Sequence, residues 1–453
     1  MAIDRSRLPA LGPDSRFGFP EIRRRTLANG LRVCTIEHRG VPLVSFLVLL
    51  PVGSAADPGR LPGLAAVTAD LLDEGAGELD ALALHEALGR TGAQFDTDIG
   101  ADATVLTLTV LDRQVERGVG LLADMLIRPR LEPHDFERVR ELRLNRLIQL
   151  RDMPPVLADR VFTRLLYRDH PYGHLSVGSE DSLRAMAPDD VVAFHARFYA
   201  PADATVIAAG DAPHDRLAAL VENAFGTWPA RAGSEAVPLD GQPSEPAERL
   251  ALVHRSGAAQ SELRIGHVGE PRSTPDYYAL VAMNMVLGGQ FVSRINMRLR
   301  EEKGYTYGAR TGFDFRRGRG PFALQASVQS DATVDAILDV FSEIRGIRDQ
   351  RPITRAELEL GRAALTRGYP RNFETSDQVC RAAAQLALYG LPDDYYSTFV
   401  PRVLALQEED LTRAARTGID PDRLVTVIVG DRDAVGPTLD RLALGEAAEL
   451  TGA

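Results

Sequence analysis

The chain has 453 residues, a net charge of −11 and two cysteines. This length allows two domains with sizeable cores, and the lack of a basic block argues against a nucleic-acid-binding surface. Cys34 and Cys380 are too far apart in sequence to form a metal-binding or redox motif.

Apolar segments are short. The N-terminal sequence MAIDRSRLPALGPDSRFGF lacks the continuous apolar stretch of a signal peptide. The longest apolar run, residues 41–52, is far shorter than the roughly 20 residues that span a bilayer. We therefore expect a soluble, cytoplasmic protein without a membrane partner.

In the first half of the chain, hydrophobic patterns predict three strands and three helices. The strands are at residues 42–50, 103–110 and 204–211, and the helices are at residues 63–72, 133–152 and 215–225.

The second half repeats this order. Its predicted strands are at residues 261–268, 322–328 and 424–431, and its predicted helices are at residues 276–287, 354–367 and 437–444. Each half also has an apolar strand that ends in Gly-Asp, at positions 210–211 and 430–431. A repeated order of elements indicates an internal duplication.

Between the halves, residues 232–248 (AGSEAVPLDGQPSEPAE) are rich in Pro, Gly, Ser and acidic residues, which is typical of a linker. We predict an α+β protein with two duplicated domains, residues 21–231 and 249–445, each a mostly antiparallel sheet packed with helices. The two halves are expected to close like a clamshell around a flexible linker.

A zinc hydrolase helix needs two ligands at i and i+4 with a general base between them, and neither HExxH nor HxxEH occurs. His85 is followed by a glutamate but by no second ligand. His170 and His174 have the right spacing, but a proline and a glycine lie between them. We favour a loop in which one of these histidines caps the backbone. Gly288-Gly289 is interpreted as the end of a helix.

The motif TLANGLRV at residues 26–33, followed by PLV at 42–44 and GSAA at 53–56, resembles the opening of peptidase family M16, the pitrilysin/insulinase family. The resemblance extends from about Arg24 to Leu442. It implies that each half has the fold of an M16 metallopeptidase domain (LuxS/MPP-like).

In active members of this family, the next block is an HxxEH helix whose histidines bind zinc and whose glutamate activates water. The matching sequence, GLAAVTADLLDEG at residues 63–75, keeps the glycine frame of that block. At the three functional positions it has Ala66, Ala69 and Asp70. The resemblance therefore implies no metal and no cofactor in this chain.

The third zinc ligand of the family is a glutamate on a later helix, and the matching sequence is FERVRELRLNRL at residues 136–147. Arg143, Asn145 and Arg146 lie in the neighbourhood of the ligand position, and Glu141 is also a possible match. One carboxylate without two imidazoles does not make a zinc site.

The second half resembles the family in a motif that binds substrate. SRINMRLREEKGYTYGA at residues 293–309 is similar to a motif whose arginine, with a tyrosine seven residues later, binds the peptide against the zinc site of the other half. Arg300 and Tyr307 stand at these positions. A guanidinium offers parallel donors to a peptide carbonyl, and a phenol can donate to the oxyanion of a tetrahedral intermediate.

For the geometry, we expect Arg300 near the end of a helix, a turn at Gly304, and Tyr305 and Tyr307 on one face of the following strand. The alternative interpretation is that Arg300 pairs with a nearby acid, such as the glutamates at 301 and 302, and that Tyr307 packs on a sheet.

The presequence-recognising subunit of mitochondrial processing peptidase has a long glycine-rich loop at the turn that corresponds to residues 288–291. Here the sequence GGQF is short, which argues against presequence recognition.

The resemblance implies a non-catalytic subunit of a heterodimeric M16 zinc peptidase. The partner would have the HxxEH helix and the zinc, and Arg300 and Tyr307 would bind an unfolded peptide, held as an added strand on a sheet edge. No peptidase activity is expected from this chain alone. The alternative is a purely structural subunit, and no constellation supports an enzyme with an unrelated site.

Overall fold

The computed structural model describes residues 17–235, 237–239 and 241–450. The N-terminal residues on which most of the signal-peptide prediction rests lie outside this part. Two six-stranded sheets and their surrounding helices form the framework, which confirms the α+β class. Within the described ranges, no helix is long and apolar enough to cross a membrane.

The first half contains one six-stranded sheet and a small two-stranded one. Its strands are β1 (Ile22–Thr26), β2 (Arg32–Glu37), β3 (Leu43–Leu50), β4 (Gly75–Ala76), β5 (Leu79–Asp80), β6 (Gln94–Ile99), β7 (Thr104–Leu111) and β8 (Thr205–Gly210). Its helices are α1 (Leu64–Asp70), α2 (Ala81–Thr91), α3 (Val115–Ile127), α4 (Pro133–Arg151), α5 (Pro154–Tyr167), α6 (Glu180–Ala185), α7 (Pro188–Phe198) and α8 (His214–Phe225).

The second half contains the other six-stranded sheet. Its strands are β9 (Leu250–His254), β10 (Gln260–Val268), β11 (Ala309–Phe313), β12 (Pro321–Gln329), β13 (Val425–Gly430) and β14 (Ala448–Glu449). Its helices are α9 (Tyr277–Leu287), α10 (Arg294–Asn296), α11 (Thr333–Arg345), α12 (Arg355–Thr366), α13 (Ser376–Tyr389), α14 (Tyr395–Ala405), α15 (Glu408–Gly418) and α16 (Arg432–Val435).

The strands and helices predicted from hydrophobic patterns are present within a residue or two of their predicted ends, with one exception. The predicted helix at residues 437–444 is a 3₁₀ helix, Gly436–Leu442. The segment begins with glycine and proline, which are the weakest helix formers, and the tighter 3₁₀ turn is common in such short pieces.

Five strands of each large sheet have the same order and directions, which confirms the predicted duplication. The strand orders of the two sheets are β1-β2-β8-β3-β7-β6 and β14-β9-β13-β10-β12-β11. The outer strands differ: β1 precedes β2 in the chain and pairs with it antiparallel, whereas β14 is the last strand and pairs parallel with β9. From β8 to β6 in the first sheet, and from β13 to β11 in the second, neighbouring strands pair antiparallel. β2 pairs parallel with β8, and β9 pairs parallel with both of its neighbours, β13 and β14. Strands β6 and β11 are therefore equivalent, and each forms an edge of its sheet.

Each half also gives a helix to the sheet of the other half. Helix α5 packs on β10 and β13, and helix α13 packs on β3 and β8. Along β3, Phe46 and Val48 face the helices of their own half, while Leu47 and Leu49 face α13. Because both of its faces are covered, β3 (LVSFLVLL) is apolar at all but one position.

A buried polar contact joins the halves at the turns that lead from their edge strands. The hydroxyl of Tyr172 donates to Oδ1 of Asp102 at 2.5 Å and accepts from the backbone N–H of Gly318 at 3.0 Å. The other carboxylate oxygen of Asp102 accepts from the backbone N–H of Arg317 at 2.7 Å. Opening the chain like a clamshell would break this contact and expose both exchanged-helix cores, so the arrangement argues against that prediction.

The predicted linker has no helix or strand among its described residues, but it is packed against the rest of the chain. Val237 and Leu239 contact the apolar cluster around α5, and Glu245 pairs with Arg423 at 2.9 Å. A domain boundary at this segment would place the two sheets in different domains. Helices α5 and α13, however, would each belong to the domain opposite to the sheet that they cover. The limits 21–231 and 249–445 stay predictions.

Substitution of two buried tyrosines tests how much the contact between the halves contributes to stability. We expect Tyr172→Phe to destabilise the fold by about 1–3 kcal/mol, because Asp102 loses a donor and the N–H of Gly318 loses its acceptor. Tyr369→Phe is the matched control, since its hydroxyl is buried without a hydrogen-bond partner among the described residues; it should be neutral or slightly stabilising. Urea unfolding of both variants gives the comparison, and equal midpoints would contradict the expectation.

Candidate functional site

One carboxylate fixes the start of α1, the helix that corresponds to the zinc-binding helix of the family. Asp57 accepts hydrogen bonds from the backbone N–H groups of Gly63, at 2.6 Å, and Ala65, at 2.7 Å, at the start of α1. His174 Nε2 lies 3.0 Å from the same carboxylate. Gly63 has φ +97°, a conformation that favours glycine. The retained glycine therefore serves the fold rather than metal binding.

At the positions of the family's zinc residues, α1 offers no ligand set. Ala66 and Ala69 are buried methyl groups, and the carboxylate of Asp70 accepts a hydrogen bond from Nε of Arg143 on α4 at 2.7 Å. The Arg143 side chain is only 15% exposed, so it needs this partner; leaving it unpaired would cost about 1–3 kcal/mol. A guanidinium beside Asp70 does not fit a zinc ion.

The structure settles which face of α4 lies opposite α1. A cleft lies between α4, the end of α1 and strand β6. Its α4 wall consists of Val139, Leu142, Arg143 and Arg146, with the i, i+3, i+4, i+7 spacing of one helix face. Glu141 is exposed and does not line the cleft. The possible match of Glu141 to the third zinc ligand is therefore wrong, and arginines face the position instead.

The cleft itself has a volume of about 370 Å³ and several carboxylates on its wall. Glu74 pairs with Arg138, and Asp70 pairs with Arg143. Burial raises the pKa of Asp73 to about 6, opposed by His85, whose Nε2 is 3.7 Å away. Among the described residues, no three His, Cys, Asp or Glu side chains are grouped so that they could hold a metal ion.

His170 and His174 make separate contacts. His174 Nε2 lies 3.0 Å from the carbonyl oxygen of Ser54 as well as from Asp57. His170 Nδ1 accepts from the backbone N–H of Tyr172 at 3.1 Å. Both rings bond to backbone groups, as expected for a loop with a capping histidine.

In the second half, Arg300 lies in a π-helical segment, Met297–Glu302, and such segments are frequent at functional sites. Its Nη1 is 3.1 Å from Oε1 of Glu301, but the geometry is not that of a hydrogen bond, and Nη1 is buried without a hydrogen-bond partner in the described part of the chain. The carboxylate of Glu302 pairs with Arg298 instead. The alternative ion pair is thus a contact with the half-exposed Glu301, worth at most about 1 kcal/mol.

The turn after Arg300 forms as predicted. Gly304 has φ +66°, and its N–H donates to the carbonyl of Arg300 at 3.2 Å. The N–H of Tyr305 then donates to the carbonyl of Leu299 at 2.9 Å, which is the bond pattern that ends a helix at a left-handed glycine. This turn fixes the direction in which the next residues leave the helix.

The prediction that Tyr305 and Tyr307 share a strand face is wrong, because β11 begins only at Ala309. Thr306 Oγ1 donates to the carbonyl of Ser327 at 2.6 Å and accepts from the N–H of Gly308 at 3.1 Å. This local turn breaks the alternation of an extended chain. Tyr305 packs against the core of the second half, whereas Tyr307 is 93% exposed and does not pack on the sheet.

Arg300 and Tyr307 are brought together by this geometry. Both line a groove of about 430 Å³, together with the segment that joins them and with Gln260 and Gln329. The groove offers a guanidinium donor and a solvent-facing phenol, both anchored by a hydrogen-bonded backbone. The segment leads into β11, an edge strand of its sheet, whose outward backbone groups at Ala309 and Thr311 are already bonded by Asn296, Gly288 and Asn284.

The sequence interpretation missed Phe291. Its ring lies under the guanidinium of Arg300, with Cζ 3.7 Å from the ring centroid, although the residue is 63% exposed. The available signal was an aromatic residue next to a glycine pair in a short loop, but a stacking partner nine residues away is set by the tertiary structure. Gly288 follows α9 directly, as predicted for the glycine pair.

Two family models match the chain. The model described as insulinase (peptidase family M16) matches residues 32–175, and the model described as peptidase M16 inactive domain matches residues 185–365. The first of these ranges contains Ala66, Ala69 and Asp70, and the second contains Arg300 and Tyr307.

Several curated proteins are similar over most of their length. An uncharacterised zinc protease of Mycobacterium leprae (strain TN) is 28% identical over 360 residues, which cover 78% of this chain and 79% of that protein. A protein named non-peptidase homolog YmxG, from Helicobacter pylori (strain ATCC 700392 / 26695), is 22% identical over 390 residues, which cover 84% of this chain and 87% of that protein.

Solved structures share the fold. The crystal structure of a peptidase M16 inactive domain from Pseudomonas fluorescens has a TM-score of 0.84 at 24% identity and covers 90% of this chain and 98% of that one. A protease from Helicobacter pylori has a TM-score of 0.82 at 20% identity, with 90% and 99% covered.

The two models together span most of the chain, and the fold agrees with the M16 structures along its length. The chain therefore belongs to peptidase family M16 and is built from two M16-type α+β domains.

Proposed function

We propose that this chain is the non-catalytic subunit of a two-subunit M16 zinc peptidase. In this proposal a partner with an intact HxxEH helix supplies the zinc and the general base, and this chain supplies Arg300 and Tyr307 to bind the peptide at that zinc site. The observation that carries the proposal is the contrast between the halves. The zinc positions are replaced by two alanines and an ion pair, while the arginine and the tyrosine line one open groove.

The chemistry of the groove suits a peptide in the course of hydrolysis. A guanidinium can hold a peptide carbonyl through charge-assisted hydrogen bonds. A phenol can donate to the oxyanion that forms when water attacks the scissile carbonyl, and such donors are aimed at charge that develops only in the transition state. In this proposal the peptide would be held as an added strand on a sheet edge, with backbone hydrogen bonds providing affinity.

The alternative is a scaffold that has lost zinc chemistry and uses neither residue. The exposure of Tyr307 supports the substrate role. A packed tyrosine would have suited a scaffold better. The inactive-domain model and the name of the Helicobacter pylori relative support a chain without its own peptidase activity.

The first test is hydrolysis of a quenched fluorescent peptide by this chain, by an HxxEH-bearing M16 protein encoded beside it, and by their mixture. We expect no hydrolysis by this chain alone and chelator-sensitive hydrolysis on mixing, because neither chain alone has both the zinc and the substrate donors. Equal activity of the partner with and without this chain would favour the scaffold. Chelator-sensitive activity of this chain alone would overturn the metal argument.

Within the active mixture, Arg300→Ala and Tyr307→Phe should each lower kcat/KM by about 10²–10³-fold, as expected for loss of a donor to the transition state. Arg298→Ala is the matched control for Arg300, since it lies on the same π-helical segment but pairs with Asp339 and Glu302. Assembly is followed by size-exclusion chromatography with light scattering. Unchanged turnover in both variants, with intact assembly, would rule out the substrate role.

A further prediction concerns the metal. The isolated chain should purify without stoichiometric zinc, because Ala66 and Ala69 have no donor atoms and Arg143 neutralises Asp70. Elemental analysis of the chain, with the HxxEH protein prepared in the same way as a positive control, gives the ratio of zinc to protein. Tight stoichiometric zinc in this chain would point to a site elsewhere, and the first to examine would be the pair His170 and His174.

A further inference from the structure

Phe291 stands apart from the other apolar residues of the second half. It lies in the loop between α9 and α10, is 63% exposed, and belongs to none of the apolar clusters among the described residues. A single exposed aromatic residue needs no explanation by itself. What distinguishes Phe291 is that its ring supports the guanidinium of Arg300, with Cζ 3.7 Å from the centroid.

The ring lies against that guanidinium, and an acid lies at its edge. The nearest acid, Glu301, contacts Nη1 at 3.1 Å without a hydrogen bond, and Nη1 has no other partner among the described residues. A guanidinium stacked on a ring is attracted by the negative charge of the ring face and is held flat against it. Phe291 therefore determines the plane in which Arg300 presents its donors.

Phe291 also lines a second cavity, of about 480 Å³. Arg300 lines the groove but not this cavity, and Phe291 lines the cavity but not the groove. The stacked pair thus contributes one residue to each of the two spaces. A peptide bound along the groove would have a neighbouring side chain within reach of Phe291.

The walls of this cavity near Phe291 have little side-chain bulk. Gly288, Gly289, Gly308 and Ala309 contribute mostly backbone, which leaves room for a large incoming side chain. The carboxylate of Glu262, on the same wall, is already bonded by Arg264 and Ser327, so its charge is neutralised within the chain. The other long side chains of the lining, Gln290, Asn296, Arg310 and Gln325, are polar, so the aromatic ring is the main apolar surface that a ligand would meet.

We propose that Phe291 is a positioning and specificity-determining residue: its ring orients Arg300, and it forms the apolar wall of a subsite for a large apolar or aromatic side chain of the peptide. This inference rests on the proposed function. It adds a preference in the substrate that the arginine and the tyrosine do not by themselves impose.

Three substitutions separate the two roles in the active two-subunit mixture. Phe291→Ala removes both, and we expect kcat/KM to fall about two- to fivefold, the rate equivalent of one cation–π contact at an exposed site, together with loss of the apolar preference. Phe291→Leu should keep the preference but lose the rate, because the wall is retained and the stack is not. Phe291→Trp should restore the rate, since indole is the best cation–π partner, and should shift the preference toward smaller side chains.

Val292→Ala is the matched control. Val292 is the next residue, is 49% exposed, and lines neither the groove nor the cavity beside Phe291. Rates are measured with a quenched peptide, and preferences are obtained by cleaving a pooled library of synthetic peptides and mapping the products by mass spectrometry. Combining Phe291→Ala with Arg300→Ala should cause no further loss of rate beyond Arg300→Ala, since the ring acts on rate through the guanidinium.

The outcomes distinguish this inference from the proposed function. If Phe291→Ala leaves both rate and preference unchanged while Arg300→Ala slows cleavage, the role of Phe291 is refuted and the proposed function stands. If Phe291→Ala and Val292→Ala reduce the rate equally, the loop matters only for its fold. If Arg300→Ala and Tyr307→Phe have no effect, the proposed function fails and this inference fails with it.

Discussion

The reciprocal exchange of helices is the constraint on which the rest of the structure depends. Each central sheet buries one face against its own helices and the other against a helix from the opposite half, α13 on the first sheet and α5 on the second. Apolar burial on both faces contributes about 25 cal/mol per Å², so neither sheet is complete without the other half. The two domains therefore fold as one unit, although each has its own topology.

This constraint fixes the spatial relation of the two candidate regions. Helix α4, which places Arg143 against Asp70, leads directly into the exchanged helix α5. The turns beyond β6 and β11 are joined through Asp102 and Tyr172. The degenerate cleft and the groove are consequently placed by the same packed framework. Under the proposed function, a peptide would enter between this chain and its partner.

The loss of zinc chemistry is compensated locally. Alanines at two of the zinc positions leave small methyl groups in the core. At the third position, Asp70 pairs with Arg143, whose side chain is only 15% exposed and needs a partner. Arg143 lies on the helix that holds the third ligand in active relatives. The positions that would bind a metal therefore stabilise the contact between α1 and α4. The helix and its packing are kept although the zinc ligands are absent.

The sequence alone determined the fold class, the duplication and nearly every element, because hydrophobic periodicity and turn glycines are local signals. It also showed that the zinc motif is absent, and it predicted that Arg300 and Tyr307 stand at the substrate positions of the family. Only the tertiary structure decided which residues of α4 face α1, since a one-residue shift rotates a helix face by about 100°. Likewise, the exchange of α5 and α13, the exposure of Tyr307 and the stacking of Phe291 depend on contacts between residues far apart in sequence, which no local pattern encodes.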